Sequence, residues 1–481
     1  MSFEDHLTAP RGLGALAGSA HAGAAGGAAC GDLVRVSVRV KGDRVAEAGF
    51  DAEGCGAARA AGSAVVELVE GRPFLEAARV TADGVAAALG GLIAPKRHAA
   101  ELAADALHRA LGAAAKDSAD GTGPHLAPSG RRTLVAMSGG VDSAAAAQLA
   151  LDAGDEVVAV TLELWSDPAT DGERSCCSPQ AVTGARALAH RMGLPHVTLD
   201  LRDRFRAEVV ERFVDGYAAG RTPNPCVRCN GHVRFDAMLE LAGALGAARL
   251  ATGHYARLAR DELGPLIRVA ADPRKDQSYM LAKLDPAMLE RLSFPLGGLT
   301  KDAVRALARD AGLSVADKRE SQDLCFVAGV GGRAFLRRHG GPRLRRPGEI
   351  VDRDGRVLGR HDGQHDFTVG QRRGLGLAGA EPLYVLAKDA AANTVTVGPR
   401  AALATIRVRL AGACLHRPAE QVRQVRLRYH ARALDCRARH AGDGALELVL
   451  AEPAESVAPG QLACLMRDDC VVGEGTIGES R

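Results

Sequence analysis

The sequence predicts an α/β protein whose parallel sheet lies between an N-terminal α+β domain and two β-rich C-terminal domains. Short apolar segments alternate with helical patterns from residue 131 to about 335, which is typical of a parallel sheet covered by helices on both faces. Ahead of this region, an alternating pattern at 33–40 and three helical patterns indicate a separate α+β unit. Behind it, glycine-punctuated strand patterns indicate small barrels.

Changes in composition set the predicted domain boundaries. Residues 1–112 form the N-terminal domain, and 113–130, rich in Gly, Ser and Pro, are typical of a flexible linker. Residues 131–335 carry the alternating pattern. Residues 336–402 are expected to form a small central β-rich domain, and the regular short strands of 403–481 predict a C-terminal β-barrel.

Charge and hydropathy restrict the partners that this chain is expected to bind. The net charge of +3 is too close to neutral to indicate a partner by itself. Residues 331–481 carry 24 Arg and Lys against 17 Asp and Glu, which fits a polyanionic partner but also an ordinary Arg-rich surface. No segment is long and apolar enough to span a membrane, and the Ala/Gly-rich residues 12–29 lack the Leu-rich centre of a signal peptide. We therefore expect a cytoplasmic protein with no membrane partner.

The chain has eleven cysteines, an odd number unevenly distributed. In a cytoplasmic protein this suggests redox, sulfur or metal chemistry rather than a disulfide scaffold. Cys226 and Cys229 have C-x-x-C spacing. Cys176 and Cys177 are adjacent, so they do not comfortably bind one metal ion; they are either a thiol pair on a loop or part of a sulfur relay.

A glycine turn predicts a phosphate-binding site. The sequence Ser138-Gly-Gly-Val-Asp-Ser143 follows an apolar strand and opens a helix, so its backbone N–H groups can form a concave anion site. It lacks the lysine of a Walker loop. The alternative interpretation of this segment is an ordinary Gly-rich turn before a helix that binds no phosphate. The residues predicted to bind the nucleotide here are Ala136, Met137, Ser138, Gly139, Gly140, Val141, Asp142 and Ser143.

The loop resembles the pyrophosphate (PP) loop of the ATP pyrophosphatases, whose fold is described as adenine-nucleotide α-hydrolase-like. The resemblance implies cleavage of ATP between its α and β phosphates to adenylate a substrate. Asp142 is expected to help hold Mg²⁺, and the hydroxyls of Ser138 and Ser143 to donate to phosphate oxygens. The loop does not identify the substrate, because members of this superfamily adenylate many different groups.

Five further motifs follow in order: RTPNPCVRCN at 221–230, ATGHY at 251–255, KDQSY at 275–279, SQDLCF at 321–326 and GQRRGLG at 370–376. With the loop, they closely resemble the bacterial tRNA-specific 2-thiouridylase family (MnmA). This resemblance implies ATP- and Mg²⁺-dependent 2-thiolation of uridine-34 in the anticodons of glutamate, glutamine and lysine tRNAs. The C2 oxygen is adenylated and sulfur then displaces AMP. The implied partners are tRNA and a cysteine desulfurase or another sulfur donor.

The family's functional positions fall on particular residues of this chain. Cys229 corresponds to the nucleophile and Cys325 to the persulfide-bearing cysteine, and the two are implied to form a disulfide after sulfur release. Leu162 and Gly253 fall on adenosine contacts. The segment that meets the target base corresponds to Asn224, Pro225 and Cys226. The remaining tRNA-contacting positions are His254, Lys275, Asp276, Gln277, Arg428, Tyr429 and Gln461.

Cys226 departs from the family pattern, since many members have Asp at this position. Two mechanisms therefore remain open. Cys226, Cys229 and Cys325 together hold a 4Fe–4S cluster with one iron open to sulfide, or Cys325 carries a persulfide and Cys226 is incidental.

The N-terminal domain has a resemblance of its own. The motifs at 29–32 (ACGD), 54–58 (GCGAA) and 95–98 (PKRH) resemble scaffold proteins for iron–sulfur assembly of the NifU N-terminal/IscU type. The resemblance implies a second metal site formed by Cys30, Asp32, Cys55 and His98. A third cysteine of that family is Ala99 here. The domain either delivers sulfur or a cluster, or it is a degenerate domain kept for docking or stability.

Two other functional classes compete with the thiolase. The chain could be another PP-loop ligase or amidotransferase, which the later tRNA-contact motifs and Cys325 argue against. It could instead be mainly an iron–sulfur scaffold, which Ala99 argues against.

Overall fold

The computed structural model describes residues 1–18, 20–26, 31–167, 179–318, 324–377, 381–441 and 444–478. It confirms the predicted fold class. An α+β domain, a parallel-sheet domain and two β domains follow one another along the chain. No helix in these ranges has the length and apolarity needed to cross a membrane.

The N-terminal domain is a three-stranded antiparallel sheet covered by helices. Its strands are β1 (His21–Gly26), β2 (Leu33–Lys41) and β3 (Arg44–Glu53). Its helices are α1 (Phe3–Thr8), α2 (Gly56–Val69), α3 (Phe74–Ala77), α4 (Ala82–Ala88) and α5 (Arg97–Lys116). Alternate residues of β2, Val34, Val36 and Val38, are fully buried, as the period-two pattern predicts.

The second domain is built on a five-stranded parallel sheet in the order β10-β7-β4-β5-β6. Its strands are β4 (Ser129–Ala136), β5 (Glu156–Glu163), β6 (His196–Asp200), β7 (Ala247–Thr252) and β10 (Leu292–Ser293). The helices are α6 (Val141–Asp152), α7 (Pro179–Arg191), α8 (Arg202–Phe205), α9 (Arg212–Ala218), α10 (Pro225–Cys229), α11 (Phe235–Ala244), α12 (Pro286–Leu289) and α13 (Lys301–Asp310). The carboxyl ends of β4, β5 and β7 meet at one edge, where parallel sheets of this type bind ligands.

The last two domains are β structures. Helix α14 (Gly332–Gly340) precedes a four-stranded sheet of β11 (Gly348–Val351), β12 (Val357–His361), β13 (Tyr384–Asp389) and β14 (Thr394–Gly398). The C-terminal strands are β15 (Thr405–Leu415), β16 (Gln424–Arg426), β17 (Leu434–His440), β18 (Leu446–Ala454), β19 (Leu462–Arg467) and β20 (Cys470–Ile477). Pairing of β15 with both β18 and β20 closes them into a barrel.

A hairpin from the second domain is joined to this barrel sheet. Strands β8 (Arg257–Asp261) and β9 (Gly264–Arg268) pair with each other, and Arg268 of β9 pairs with Cys470 of β20. The barrel predicted within 403–481 does not include this hairpin. The hairpin follows the ATGHY motif directly, so the barrel is connected to the segment beside the phosphate loop.

Helix α5 connects the N-terminal domain to the parallel sheet. It packs on β1 and β2 and also on β6, at the outer edge of the parallel sheet. A Cβ added at Gly112 would lie 1.8 Å from the carbonyl oxygen of Thr198, so only glycine allows this approach. Two ion pairs flank the contact: Asp105–Arg186 at 2.7 Å, and Arg109 with Glu163, whose side chain is 1% exposed, at 3.1 Å.

The flexible linker predicted at 113–130 requires correction. Helix α5 extends to Lys116, and the backbone N–H of His125 donates to the Gly42 carbonyl at 2.8 Å. The N–H of Leu126 donates to the Ala244 carbonyl at 3.0 Å. The segment is therefore held by both domains. Its Gly, Ser and Pro content reflects tight turns rather than a tether, because the same residues favour both.

Three histidines lie at the contact between the two domains. The rings of His108, His190 and His196 have centroids 5.1–6.2 Å apart. His108 donates from Nε2 to the Val80 carbonyl at 2.8 Å, while its Nδ1 is buried without a hydrogen-bond partner. Burial, with the nearby Arg186 charge, lowers the pKa of His108 to about 3, so the ring is neutral in the folded protein.

Gly112→Ala should loosen the docking of the N-terminal domain. The new methyl group would overlap the Thr198 carbonyl, and overpacking of this kind costs about 1–3 kcal/mol. Thermal unfolding and limited proteolysis between residues 117 and 128 would measure the effect. Gly184→Ala in α7 is the matched control, because a Cβ there meets no atom within 4 Å. Equal behaviour of the two variants would contradict the proposed close contact.

The buried histidine contact predicts that the free energy of unfolding decreases as the pH falls. Because the folded-state pKa of His108 lies below the ordinary value of 6.5, its contribution is complete above that pH and is lost as the pH falls. Uptake of one proton on unfolding lowers the free energy of unfolding by about 1.4 kcal/mol for each pH unit between the folded and unfolded pKa values. His108→Gln should therefore show a smaller loss of unfolding free energy between pH 7 and 5 than the unsubstituted protein. The exposed His440→Gln should not, and an unchanged slope in His108→Gln would refute this role.

Candidate active site

The phosphate loop has the predicted strand–loop–helix geometry. β4 ends at Ala136, Gly139 has a φ of +71°, and α6 begins at Val141. The Ser143 hydroxyl donates to the Gly140 carbonyl at 3.0 Å and accepts from the Ser138 N–H at 3.1 Å. These bonds fix the turn, and the N-terminal N–H groups of α6 lie beside it as an anion-binding surface.

Both predicted adenosine-contact residues lie at the same sheet edge. A Cβ on Gly253 would come within 2.8 Å of the Asp142 carbonyl carbon and 2.9 Å of the Ser143 nitrogen. The chain after β7 therefore passes directly over the start of α6, which requires glycine at this position. Leu162 lies near the carboxyl end of β5, in register with Leu199 of β6.

Asp142 lies in the first turn of α6 and is held by two donors. Its Oδ1 accepts from the Tyr255 hydroxyl at 2.8 Å and from Lys301 Nζ at 2.7 Å. A second lysine, Lys318, donates from Nζ to the Gly139 carbonyl at 2.9 Å. Neither lysine is among the residues predicted from the sequence, since both come from segments beyond the recognised motifs. The absence of a Walker lysine was the signal that cations had to come from elsewhere.

The C-x-x-C motif forms the short helix α10. Asn224 caps it, accepting from the N–H groups of Cys226 at 3.1 Å and Val227 at 3.3 Å, and Pro225 occupies the first turn, where its missing N–H has no cost. A π-helical turn, Asn230–Arg234, follows directly and leads into α11. Cys229 at the end of α10 is buried, whereas Cys226 is half-buried.

Cys325 lies next to an aromatic cluster that fixes the backbone around it. Its neighbour Phe326 is 2% exposed and contacts the rings of Trp165, Phe205 and Phe335. Cys325 itself is half-buried. Residues 319–323, including Ser321 of the SQDLCF motif, lie outside the described residues, as do Cys176 and Cys177.

Within the described part of the chain, Cys226, Cys229 and Cys325 are not joined by a disulfide. Their sulfur atoms are not among the described side-chain groups whose ligand atoms lie within 4.8 Å of one another. They are therefore not arranged around a single metal ion. A four-iron cluster separates its ligands more widely than a single ion does, so the cluster and the persulfide mechanism are both compatible with this spacing.

Three of the residues predicted to contact tRNA make hydrogen bonds or ion pairs within the protein. Asp276 is 6% exposed, accepts from the Ala270 N–H at 3.0 Å and pairs with Arg426 of the barrel at 2.6 Å. Gln277 Oε1 accepts from the Tyr255 N–H at 2.9 Å. Gln461 donates from Nε2 to the Thr222 carbonyl at 2.7 Å. Asp276 thus connects its own segment to the barrel, and Gln277 bonds the segment beside the phosphate loop. Gln461 connects the barrel to the segment before α10.

The other predicted RNA contacts are more accessible. Arg428 is exposed, while Lys275, His254 and Tyr429 are partly buried. The His254 ring bonds the Thr252 hydroxyl at 2.9 Å and contacts the Phe235 ring, and burial lowers its pKa to about 4. His254 is therefore neutral near pH 7.

Asp32, Cys55 and His98 of the N-terminal domain converge on one point. Their ligand atoms all lie within 4.8 Å of one another, and they are the one group of this kind among the described residues. Asp32 accepts from the Cys55 N–H at 2.8 Å and contacts His98 Nε2 at 2.8 Å. This hydrogen bond lowers the pKa of Asp32. Cys30, the fourth predicted ligand, lies outside the described residues.

The backbone around these three residues suits a metal site. A Cβ on Gly54 would lie 2.1 Å from Asp32 Oδ1, so glycine opens the space that the carboxylate occupies. His98 Nδ1 lies 3.0 Å from the Pro95 carbonyl, which holds the ring with Nε2 towards the site, as is usual for histidine ligands. An oxygen, a thiol and an imidazole form a donor set that suits zinc or iron.

Four family models match consecutive parts of the chain. They are the NifU-like N-terminal domain (residues 2–118), the tRNA methyl transferase HUP domain (131–329), the tRNA methyl transferase PRC-barrel domain (333–399) and the aminomethyltransferase beta-barrel domain (405–477).

Curated relatives match the chain over most of their length. A "Bifunctional protein NifU/MnmA" from Rubrobacter xylanophilus is 47% identical over 98% of this chain and 97% of its own. A "tRNA-specific 2-thiouridylase MnmA" from Methylobacterium radiotolerans is 48% identical over 73% of this chain and 94% of its own. Another protein of the same name, from Methylorubrum extorquens, is 47% identical over 73% of this chain and 94% of its own.

Proposed function

We propose that this chain, which belongs to the MnmA family of tRNA-specific 2-thiouridylases and carries a NifU-like N-terminal domain, uses ATP to thiolate uridine-34 of glutamate, glutamine and lysine tRNAs in the cytoplasm. The observation that carries the proposal is the PP-loop at the carboxyl edge of the sheet, with Gly253 packed against the start of α6. This arrangement suits a nucleotide that transfers AMP.

The chemistry needs adenylation because a urea-like carbonyl is a weak electrophile. The C2 oxygen attacks the α phosphorus of ATP, and pyrophosphate leaves. The loop N–H groups and α6 stabilise the phosphate charge. Bound Mg²⁺ would supply further positive charge to the phosphates, and Asp142, the carboxylate of the loop, would be its ligand.

Sulfur transfer then assigns separate roles to two cysteines. The terminal sulfur of a Cys325 persulfide attacks C2 and AMP leaves. The Cys229 thiolate attacks Cys325 Sγ, which breaks the sulfur–sulfur bond, leaves sulfur on the base and forms a Cys229–Cys325 disulfide. A cellular thiol reductant restores both cysteines. The capped helix α10 and the aromatic cluster beside Cys325 support this assignment, because both hold the backbone of a reacting cysteine in place.

The cysteine assignment is tested by 2-thiouridine formation on tRNA with ATP and a desulfurase. Cys229→Ser and Cys325→Ser should each lower the product by about 100-fold or more, while tRNA binding is retained, since each removes a reacting sulfur. Cys414→Ser, at an exposed cysteine of β15, is the control. Normal thiolation by either active-site variant would refute its role.

Cys226→Ser separates the two sulfur mechanisms in the same assay. Under the persulfide mechanism that we propose, the Cys226→Ser protein thiolates tRNA without bound iron. Loss of both bound iron and activity in anaerobically purified protein would instead favour the cluster held by Cys226, Cys229 and Cys325.

We also propose that the N-terminal domain holds a metal ion or an iron–sulfur group at Asp32, Cys55 and His98, with Cys30 as a further ligand, and that it serves as a fixed sulfur-delivery domain for the thiolase. Convergence of the three ligand atoms and the Pro95 contact of His98 support this. Ala99 removes one thiolate, which favours a single ion or a labile cluster over a firmly held one.

Cys55→Ala should therefore lower the zinc or iron bound per full-length chain to less than about one tenth, because a thiolate is the strongest donor of the set. Ala99→Cys should retain metal against a chelator for longer. Metal analysis of anaerobically purified protein measures both. An unchanged metal content in Cys55→Ala would contradict the site, and Cys414→Ala controls for loss of any cysteine.

A further inference from the structure

Asp142 presents an electrostatic problem at the phosphate loop. It is the second residue of α6, so its carboxylate lies beside the N–H groups that are expected to bind phosphate. A helix N-terminus contributes only about half a positive charge, and a full carboxylate charge nearby would cancel it. The loop therefore needs a compensating cation before it can accept a polyanion such as ATP.

Lys301 supplies that cation from a fixed position. Its side chain is 7% exposed, and its Nζ lies 2.7 Å from Asp142 Oδ1. Thr300 caps α13 just before it, and the Lys301 backbone N–H donates to Asp272 at 3.2 Å. Burying an ammonium costs several kcal/mol unless it is paired, so the ion pair and the start of α13 stabilise each other.

Lysine is scarce in this chain, which makes its presence here informative. Only eight of the 61 Lys and Arg residues are lysines, and two of those eight contact the short phosphate loop or its Asp142. A compact ammonium binds one carboxylate oxygen, whereas a guanidinium tends to bind both. Lys301 bonds Oδ1, which leaves Oδ2 for Mg²⁺.

We propose that Lys301 is a positioning residue of the ATP site that acts through Asp142. It neutralises the Asp142 carboxylate so that the loop accepts the phosphates, and it occupies Oδ1, so that Oδ2 would be the oxygen available to Mg²⁺. Lys318 differs, because it bonds the Gly139 carbonyl with no carboxylate between it and the loop. This inference rests on the proposed use of ATP.

The test is a double-mutant cycle read by calorimetric ATP binding to the full-length protein, with EDTA and without tRNA. Lys301→Met should weaken ATP binding by at least about tenfold, since it leaves the Asp142 charge uncompensated. In the Asp142→Asn background the same lysine substitution should change binding by less than about threefold. Lys41→Met, at an exposed lysine of the N-terminal sheet, should change nothing.

Lys301→Arg is a second test variant. It keeps a basic side chain and does not require the buried position to accept methionine. It should keep metal-free ATP binding within about threefold but raise the Mg²⁺ concentration needed for AMP formation, because both Asp142 oxygens become occupied. A purely structural lysine would show the same loss in both Asp142 backgrounds, and a dispensable one would show none. Either result overturns the inference.

The outcomes also separate this inference from the proposed function. In one outcome the unsubstituted protein binds ATP and the double-mutant cycle gives the expected result, but no 2-thiouridine forms on tRNA. The thiolase proposal then fails, and the role of Lys301 stands. If the protein thiolates tRNA but Lys301→Met binds ATP normally, only the lysine role fails.

Discussion

The close packing of α5 against two sheets is the contact on which the arrangement of the N-terminal half depends. One side of the helix covers β1 and β2, and the other reaches the edge strand β6, where Gly112 meets the Thr198 carbonyl. Such approach requires small residues, and the buried face is largely alanine. An edge strand left open would expose unpaired backbone groups, so α5 also protects the sheet that carries the phosphate loop.

This docking bears on the sulfur delivery proposed for the N-terminal domain. A tethered domain would raise the effective concentration of donor by diffusion within reach of its linker. A docked domain presents its donor group from one place, which favours delivery along a defined path or by an exchange partner that contacts both sites. The two thiouridylase relatives match 73% of this chain over 94% of their own length, at identities close to that of the relative matched over 98% of the chain.

Much of the fold could be read from the sequence because its signals are local. The βα alternation, the glycine turn before α6 and the Asn224-Pro225 start of α10 each depend on a few neighbouring residues. The linker was misjudged because Gly, Ser and Pro favour tight turns and tethers alike. Lys301 and Lys318 were missed because their partners are 159 and 179 residues away in sequence, and only the fold brings them together. The bonds of Asp276 to Arg426 and of Gln461 to Thr222 could not be predicted either, because the partners are 150 and 239 residues away in sequence.

Lys283 pairs with Glu474 of the barrel at 3.3 Å, but guanidinium groups make several other contacts between domains. These pairs are Arg186 with Asp105, Arg426 with Asp276, and Arg417 together with Arg467 on Asp261 of the hairpin. Forked donors suit this task because several bonds fix the orientation of two units. At the phosphate loop the carboxylate must be neutralised and still remain open on one side, which a forked donor does not allow. The lysine at Asp142 therefore differs from these arginines in the number of carboxylate oxygens that each cation tends to occupy.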